Sequence, residues 1–506
     1  MAAFVLSRAL GLAREVVISS QFGTSGELDA YLAAFRIPDI IFQLMAGGAL
    51  ASAFIPTFAG LLANDDREAA WRLAADVINV LLVLLSVVSL VCMALAGPLT
   101  RYVIAVGFDP ERQALTARLM RIMLTTPVVF SVSGVFMGIL NSHGRFLAPA
   151  LAPSAYNLAI ILGAVTLTPE LGVFGLAFGV AVGSLCHYVI QLPQVVLLMP
   201  ERLEPRPIEH GPLGLSSPHL REVVRLMLPR SVGLAAVQVN FLVNTILAST
   251  MAPGSLATLN YAWMLMLLPQ GVFAQGIATA VFPTFSALAA RGHWEELGGM
   301  FLRSTRGVLF LALPAGLGLV FLGEPIVSLV LSRGAFDAQA TVSVAAVLVF
   351  YALGLWAHSV LEIITRAFYA MHDTRTPVGI GVAAMALNVA LSVLLMGPLQ
   401  ERGLALANTL AVTGEVVVLW AILSRRVPAT SPAGLAEPVG RMLVAALGMS
   451  VVLVVMVRVL PLPLPVMALV GMATGAGVYA IAALGLGVPE ARAALARIEG
   501  RWRSGA

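Results

Sequence analysis

The sequence contains no lysine: all thirty of its basic residues are arginine. It also has only two cysteines in 506 residues, and its charged fraction is 11%. Soluble domains carry about 25% charged residues, so a water-soluble globule is ruled out. Cys92 and Cys186 lie in apolar runs with no C-x-x-C or metal spacing. That excludes a thiolate metal site and leaves two small hydrophobes. There is no Walker A motif, metal-ligand cluster or Gly-x-Ser-x-Gly, and the polar tracts are too short for a catalytic domain. No enzyme activity, cofactor or metal is therefore expected. No basic-aromatic cluster points to nucleic acid. His143, His187, His358 and His372 are scattered and read as hydrogen-bonded core or interface histidines. No cleavable signal peptide is expected, because Met1 to Leu6 runs straight into an apolar segment.

What is present is hydrophobic: 59% of the chain. Apolar runs near twenty residues recur throughout, the mark of an all-α polytopic membrane protein. Fourteen transmembrane helices are predicted, near 2–21, 31–61, 76–97, 116–141, 147–167, 172–199, 222–250, 257–288, 304–324, 340–371, 376–397, 402–424, 438–460 and 464–486. The second, eighth and tenth runs are long for a ~30 Å core, so tilt or bending is expected there. Pro38, Pro269 and Pro314 are the expected bend points. Arginines at 67, 72, 202, 206, 221, 291, 303, 306, 425, 426, 441 and in the tail share one side if both termini are cytoplasmic, as the positive-inside rule requires.

The first twelve spans are duplicated. Ala51-x-Ala53-x-x-Pro56-Thr57-Phe58 recurs as Ala278-x-Ala280-x-x-Pro283-Thr284-Phe285, and Pro98 recurs in the same register at Pro325. Phe108-Asp109 and Gly175-Leu-Ala177 recur one position out of that register, at Phe336-Asp337 and Gly403-Leu-Ala405. A shift of six spans keeps the orientation, which predicts two parallel, pseudo-symmetric six-helix lobes followed by two extra helices. The expected segments are an N-lobe (1–200), a cytoplasmic connector (201–221), a C-lobe (222–426), the extra helices (427–488) and a cytoplasmic tail (489–506).

Charges inside spans are costly and mark watery cavities. Arg8, Arg14 and Glu15 interrupt the first span, and Arg36 lies near the head of the second, close to Asp39. Gly11 leaves room between Arg8 and Glu15 on one helical face. Cations in a cavity wall suggest an anionic cargo. The open alternative is that they snorkel to the interface or pair with Glu15, Asp29 and Asp39. The connectors Gly138–Pro149, with Arg145, and Arg366–Pro377, with Asp373 and Arg375, read either as hinges or as a cytoplasmic gate closed through Asp373 and Arg375. With no nucleotide site, energy would come from an ion gradient, the membrane potential or cargo removal.

Ser7-Arg8-x-Leu-Gly11-x-x-Arg14-Glu15, Phe22-Gly23, Asp29-Ala30, Ala34-Phe35-Arg36-Ile-Pro38 and Gly48-Ala49-x-x-x-Ala53-Phe54-x-Pro56 resemble the N-terminal signature of the lipid II flippase family (MurJ/MviN type). The stretch Asn141–Asn157 and Phe368-Tyr369-Ala-x-x-Asp373-Thr-Arg-Thr-Pro377 are similar to two further segments of that family. The resemblance implies the multidrug/oligosaccharidyl-lipid/polysaccharide exporter fold. It implies a cargo of undecaprenyl-diphosphate-linked peptidoglycan precursor, moved by alternating access in the bacterial inner membrane amid membrane lipids. A monomer is expected, because the cavity is built within one chain. Arg8, Arg14 and Arg36 would bind substrate; Asp29, Asp39, Arg145, Asp373 and Arg375 would serve gating. The chain departs from the family at Phe42, Gln43, Gly47 and Met264, where cations or a glutamate are usual. It departs also at Asn244 and Ser392, where some members carry sodium-binding carboxylates. An exporter of another lipid-linked saccharide, a cation or drug antiporter and a non-transporting scaffold of the same fold remain the alternatives.

Overall fold

The computed structural model describes residues 2–45, 53–200 and 217–504, without the side chains of 2–5, 228–234, 236 and 497–504. Gly47 and most of the connector, with Arg202 and Arg206, lie outside the described residues. The chain divides into two compact units, Met1–Ala257 with Arg333–Phe336, and Thr258–Ser332 with Asp337–Ala506.

Every regular element among the described residues is helical. The first unit holds α1 (Ala2–Phe22), α2 (Gly26–Gln43), α3 (Ile55–Ala63), α4 (Arg67–Ala94), α5 (Pro110–Met123), α6 (Thr126–Ser142), α7 (Leu147–Thr166), α8 (Phe174–Val189) and α9 (Pro218–Ser249). Ser255 opens α10 (Ser255–Ala290), most of which belongs to the second unit. There follow α11 (Trp294–Phe321), α12 (Gly323–Leu331), α13 (Ala338–Leu353), α14 (Leu355–Ala370), α15 (Arg375–Leu399), α16 (Glu401–Arg426), α17 (Ala436–Val459), α18 (Leu464–Gly485) and α19 (Pro489–Ser504).

Ten helical segments among the described residues are long and apolar enough to cross a membrane, or eleven if α13 and α14 form one span. Neither α1 nor α2 is in that set. The first carries Arg8, Arg14 and Glu15, and the second Glu27, Asp29, Arg36 and Asp39. A 43° bend separates α13 from α14 at Gly354. A Cβ there would stand 2.6 Å from Thr409 Oγ1, which donates to Phe350 O at 2.7 Å. The helices themselves continue through Pro38, Pro269 and Pro314.

The duplication reaches down to single turns. Asp109 caps α5 by accepting from Arg112 N at 2.9 Å, and Asp337 caps α13 by accepting from Ala340 N at 2.7 Å. Gly144 (φ 71°) ends α6 and His372 (φ 59°) ends α14. Each is followed by an N–H that reaches back five residues, Arg145 to Leu140 O and Asp373 to Phe368 O. This is a Schellman cap, which wants a left-handed residue at its corner. Asp65 (φ 62°) and Gly292 (φ 71°) end α3 and α10 in the same way.

Small residues let the spans approach. A Cβ on Gly163 of α7 would lie 2.7 Å from Gly179 Cα of α8, so these two helices touch backbone to backbone. In the second unit the C-terminal elements are tied to α11. Tyr479 Oη donates to Phe310 O at 2.9 Å, and Arg306 Nε lies 2.9 Å from Glu490 Oε1.

Candidate functional site

The charged stretch of α1 is held from two directions. Arg14 Nε donates to Glu15 Oε1 at 3.1 Å, Nη2 donates to the same oxygen, and Nη1 donates to Asn157 Oδ1 of α7 at 3.1 Å. Gly11 makes the approach of α7 feasible, since a Cβ there would meet Asn157 Nδ2 at 3.7 Å. A guanidinium has five N–H donors. Three are used, and two remain on a side chain that is 27% exposed. Tyr31 and Tyr156 lie within electrostatic reach of Arg14. Arg8 is exposed, about 9 Å further along the same helix.

A second cluster sits on α2. Arg36 Nε donates to Thr245 Oγ1 of α9 at 3.0 Å, and Nη1 lies 4.0 Å from Asp39 Oδ2. The guanidinium also stands over the Phe241 ring, 5.6 Å from its centroid. Asp39 acts electrostatically on Tyr156, as do Arg14 and Glu15, so the two clusters share α7. In the first unit Arg14 is thus paired with Glu15 and Arg36 with Asp39, and Tyr156 of α7 lies within electrostatic reach of Arg14, Glu15 and Asp39. Pairing, the alternative left open by the sequence, holds for both Arg14 and Arg36. Phe42 packs on Phe130, ring centroids 5.0 Å apart.

Asp29 does something different. It is buried, and its two oxygens accept backbone hydrogen bonds from Gly254 N at 2.6 Å and Ala257 N at 2.8 Å. These are orphan donors at the start of α10, a 36-residue helix whose positive dipole end meets the carboxylate. Arg112 adds a nearby positive charge.

The second connector is a fastening built on Asp373, but Arg375 is not part of it. Asp373 Oδ1 accepts from Thr376 N at 2.9 Å and Oδ2 from Thr376 Oγ1 at 2.6 Å. Its salt-bridge partner is Arg426, at the end of α16, which also stands 5.6 Å from the Phe368 ring centroid. Partial burial opposes ionisation of Asp373; the hydrogen bonds from Thr376 and Arg426 outweigh it and hold the carboxyl at about 2. Arg375 and Arg145 are exposed. Asn157, Thr245 and Arg426 are the partners that sequence reasoning missed. A lone amide in the apolar run of α7 was the available signal for the first.

A family model described as lipid II flippase MurJ matches residues 18–471. The chain belongs to the lipid II flippase MurJ family. The MurJ match takes in Asp29, Arg36, Asn157 and Asp373, while Arg8 and Arg14 precede it. The probable lipid II flippase MurJ of Rhizobium tropici is 32% identical over 464 residues, covering 88% of this chain and 84% of that protein. The lipid II flippase MurJ of Burkholderia cenocepacia is 30% identical over 456 residues, covering 89% and 86%. A solved structure of lipid II flippase MurJ in an inward closed conformation superposes with a TM-score of 0.80 at 24% identity, covering 95% of this chain and 97% of that one. An inward-facing MATE family multidrug transporter of the MOP superfamily gives 0.71 at 16% identity, covering 84% and 96%. These two likenesses show the fold, a multi-span helical membrane protein of MurJ type.

Proposed function

We propose that this chain is a lipid II flippase. It is a transporter rather than a catalyst, and it carries the undecaprenyl-diphosphate-linked precursor from the inner to the outer leaflet of the bacterial inner membrane by alternating access. In this reading it has fourteen spans, both termini are cytoplasmic, and one chain suffices because both lobes lie within it. Family membership over nine-tenths of the chain supports the cargo class.

The observation that carries the site assignment is Arg14: a guanidinium within α1, oriented by Glu15 and Asn157, with two N–H donors left over. Arginine grips phosphate oxygens through paired, charge-assisted hydrogen bonds. A diphosphate diester carries two negative charges. Arg8, Arg14 and Arg36 against Glu15 and Asp39 leave one net positive charge to receive it. Asp29 would hold the outer end closed through the start of α10, and the Asp373–Arg426 fastening would brace the cytoplasmic end of the C-lobe.

The test is complementation of a flippase-depleted cell. Arg8→Ala and Arg14→Ala are each expected to abolish growth while the protein still inserts, and purified Arg14→Ala to lose binding of lipid II. Full growth with both variants would remove the diphosphate role.

A further inference from the structure

The interior of α16 carries one acidic residue, Glu415. At 1.5 Å per residue it lies about 21 Å from Glu401 and about 16 Å from Arg426, which places it within a hydrocarbon core about 30 Å thick. Its carboxylate rests against α15, where Oε1 stands 3.3 Å from the position of a Cβ on Gly381. Gly381 falls on the inward stripe of α15 formed by Pro377, Ala384, Asn388 and Ser392. The missing side chain at 381 makes the space that the carboxyl group fills.

No donor or cation among the described residues reaches Glu415. The elements packed against α16 are α13, α14, α15 and the turn Pro428–Thr430. Their titratable and charged side chains are Tyr351, His358, Glu362, Arg366, Tyr369 and Arg375. His358 Nε2 lies 3.1 Å from Asn408 Oδ1, Glu362 and Arg366 pair with each other at 3.2 Å, and Arg375 is exposed at the start of α15.

An ionisable residue held at membrane depth without a partner is costly, and such residues mark ion pathways and proton relays. The chemistry of the place selects among occupants. A hard metal cation wants several oxygen ligands, and no group of three or more His, Cys, Asp or Glu among the described residues could supply them. An anion is repelled. A proton needs only one lone pair.

We propose that Glu415 is a proton-binding site in the second unit, loaded at one stage of the transport cycle and emptied at another. On loading, hydronium from the aqueous phase gives a proton to a carboxylate oxygen. One O–H bond forms, one O–H bond of hydronium breaks, water leaves, and the site changes from one negative charge to none. What the proton is coupled to rests on the flippase reading; the existence of the site does not.

Infrared spectroscopy of the full-length protein in lipid vesicles, titrated through pH, tests the site directly. The expected result is a protonated-carboxyl C=O band that fades as pH rises and is missing from Glu415→Gln. An identical band in Glu415→Gln, or no titrating band in the unaltered protein, overturns the proposal. If Glu415→Gln fails to insert, Glu415→Asp, expected to move the band and its midpoint, replaces it. Coupling is read in vesicles containing lipid II and a pH-sensitive dye. Flipping is expected to change severalfold with an imposed pH gradient, and Glu415→Asp to displace the midpoint of that response. Flipping indifferent to the gradient, with no titrating band, sinks the proton site and leaves the flippase reading intact. A titrating band lost in Glu415→Gln, without any flipping, sinks the flippase reading and leaves the site.

Discussion

Gln400 adopts the backbone conformation that Gly172 adopts at the equivalent turn of the first half: φ 51° and ψ −131° against φ 57° and ψ −141°. Each ends a helix, Gln400 N donating to Met396 O and Gly172 N to Thr168 O. That region is one in which glycine is at ease and a side chain is strained by roughly 1–3 kcal/mol. Gln400→Gly is therefore expected to stabilise the protein by about 1 kcal/mol, and Gly172→Ala to destabilise it by at least as much. Thermal unfolding in detergent would read both. A lower midpoint for Gln400→Gly would contradict the strain assignment.

Arg14 and Asn157 make a second prediction. Hydrogen bonds to a charged group are worth about 1.5–3 kcal/mol, or roughly ten- to a hundredfold in a rate or affinity. Asn157→Ala is expected to weaken lipid II binding by that factor, and Arg14→Lys to do the same although the charge is kept. A single ammonium cannot reach Glu15 and Asn157 together as the guanidinium fork does. Unchanged binding by Arg14→Lys would mean that charge alone matters at this position.

Asp29 should respond in a graded way. Asp29→Asn keeps one acceptor oxygen and loses the interaction of a charge with the helix end, at a cost of about 1–2 kcal/mol. Asp29→Ala leaves both Gly254 N and Ala257 N without an acceptor and should cost more. Labelling of a cysteine introduced at Pro253 should be fastest in Asp29→Ala, intermediate in Asp29→Asn and slowest in the parent. Equal rates would mean that the carboxylate does not secure this turn.

The pH dependence of the Asp373 fastening has a definite sign. The carboxyl is held below the ordinary carboxylate range, so its contribution is complete above about pH 4 and is lost as pH falls through about 2. The pair is partly exposed, which keeps the contribution under about 1 kcal/mol. The stability gap between the parent and Asp373→Asn should stay constant from pH 8 to pH 5 and shrink only in stronger acid. A gap that varied across neutral pH would place a different titrating group at this turn.

Much of the helical architecture could be read from the sequence because it depends on periodicity. The single-position slip in register between the pair Pro98 and Pro325 and the pair Asp109 and Asp337 is carried through to the matched caps. Contacts between distant residues were less visible. Arg14 meets Asn157 across 143 positions, and neither an amide nor a guanidinium announces its partner. Asp29 binds main-chain N–H groups, which carry no side-chain signal at all. Arg375 looked like the mate of Asp373 because it stands two positions away. The carboxylate is turned instead toward Thr376 N in capping α15, and that geometry presents it to Arg426, far along the chain at the end of α16.

Tyr479 and Glu490 have an experimental use. Because the Tyr479 hydroxyl donates to Phe310 O and the Glu490 carboxylate meets Arg306, α18 and α19 are stitched to α11 rather than trailing from it. A fluorescent reporter on a cysteine introduced at the exposed Ala493 of α19 should therefore turn with the second unit, a pointer from which that body's rotation could be followed optically, one molecule at a time.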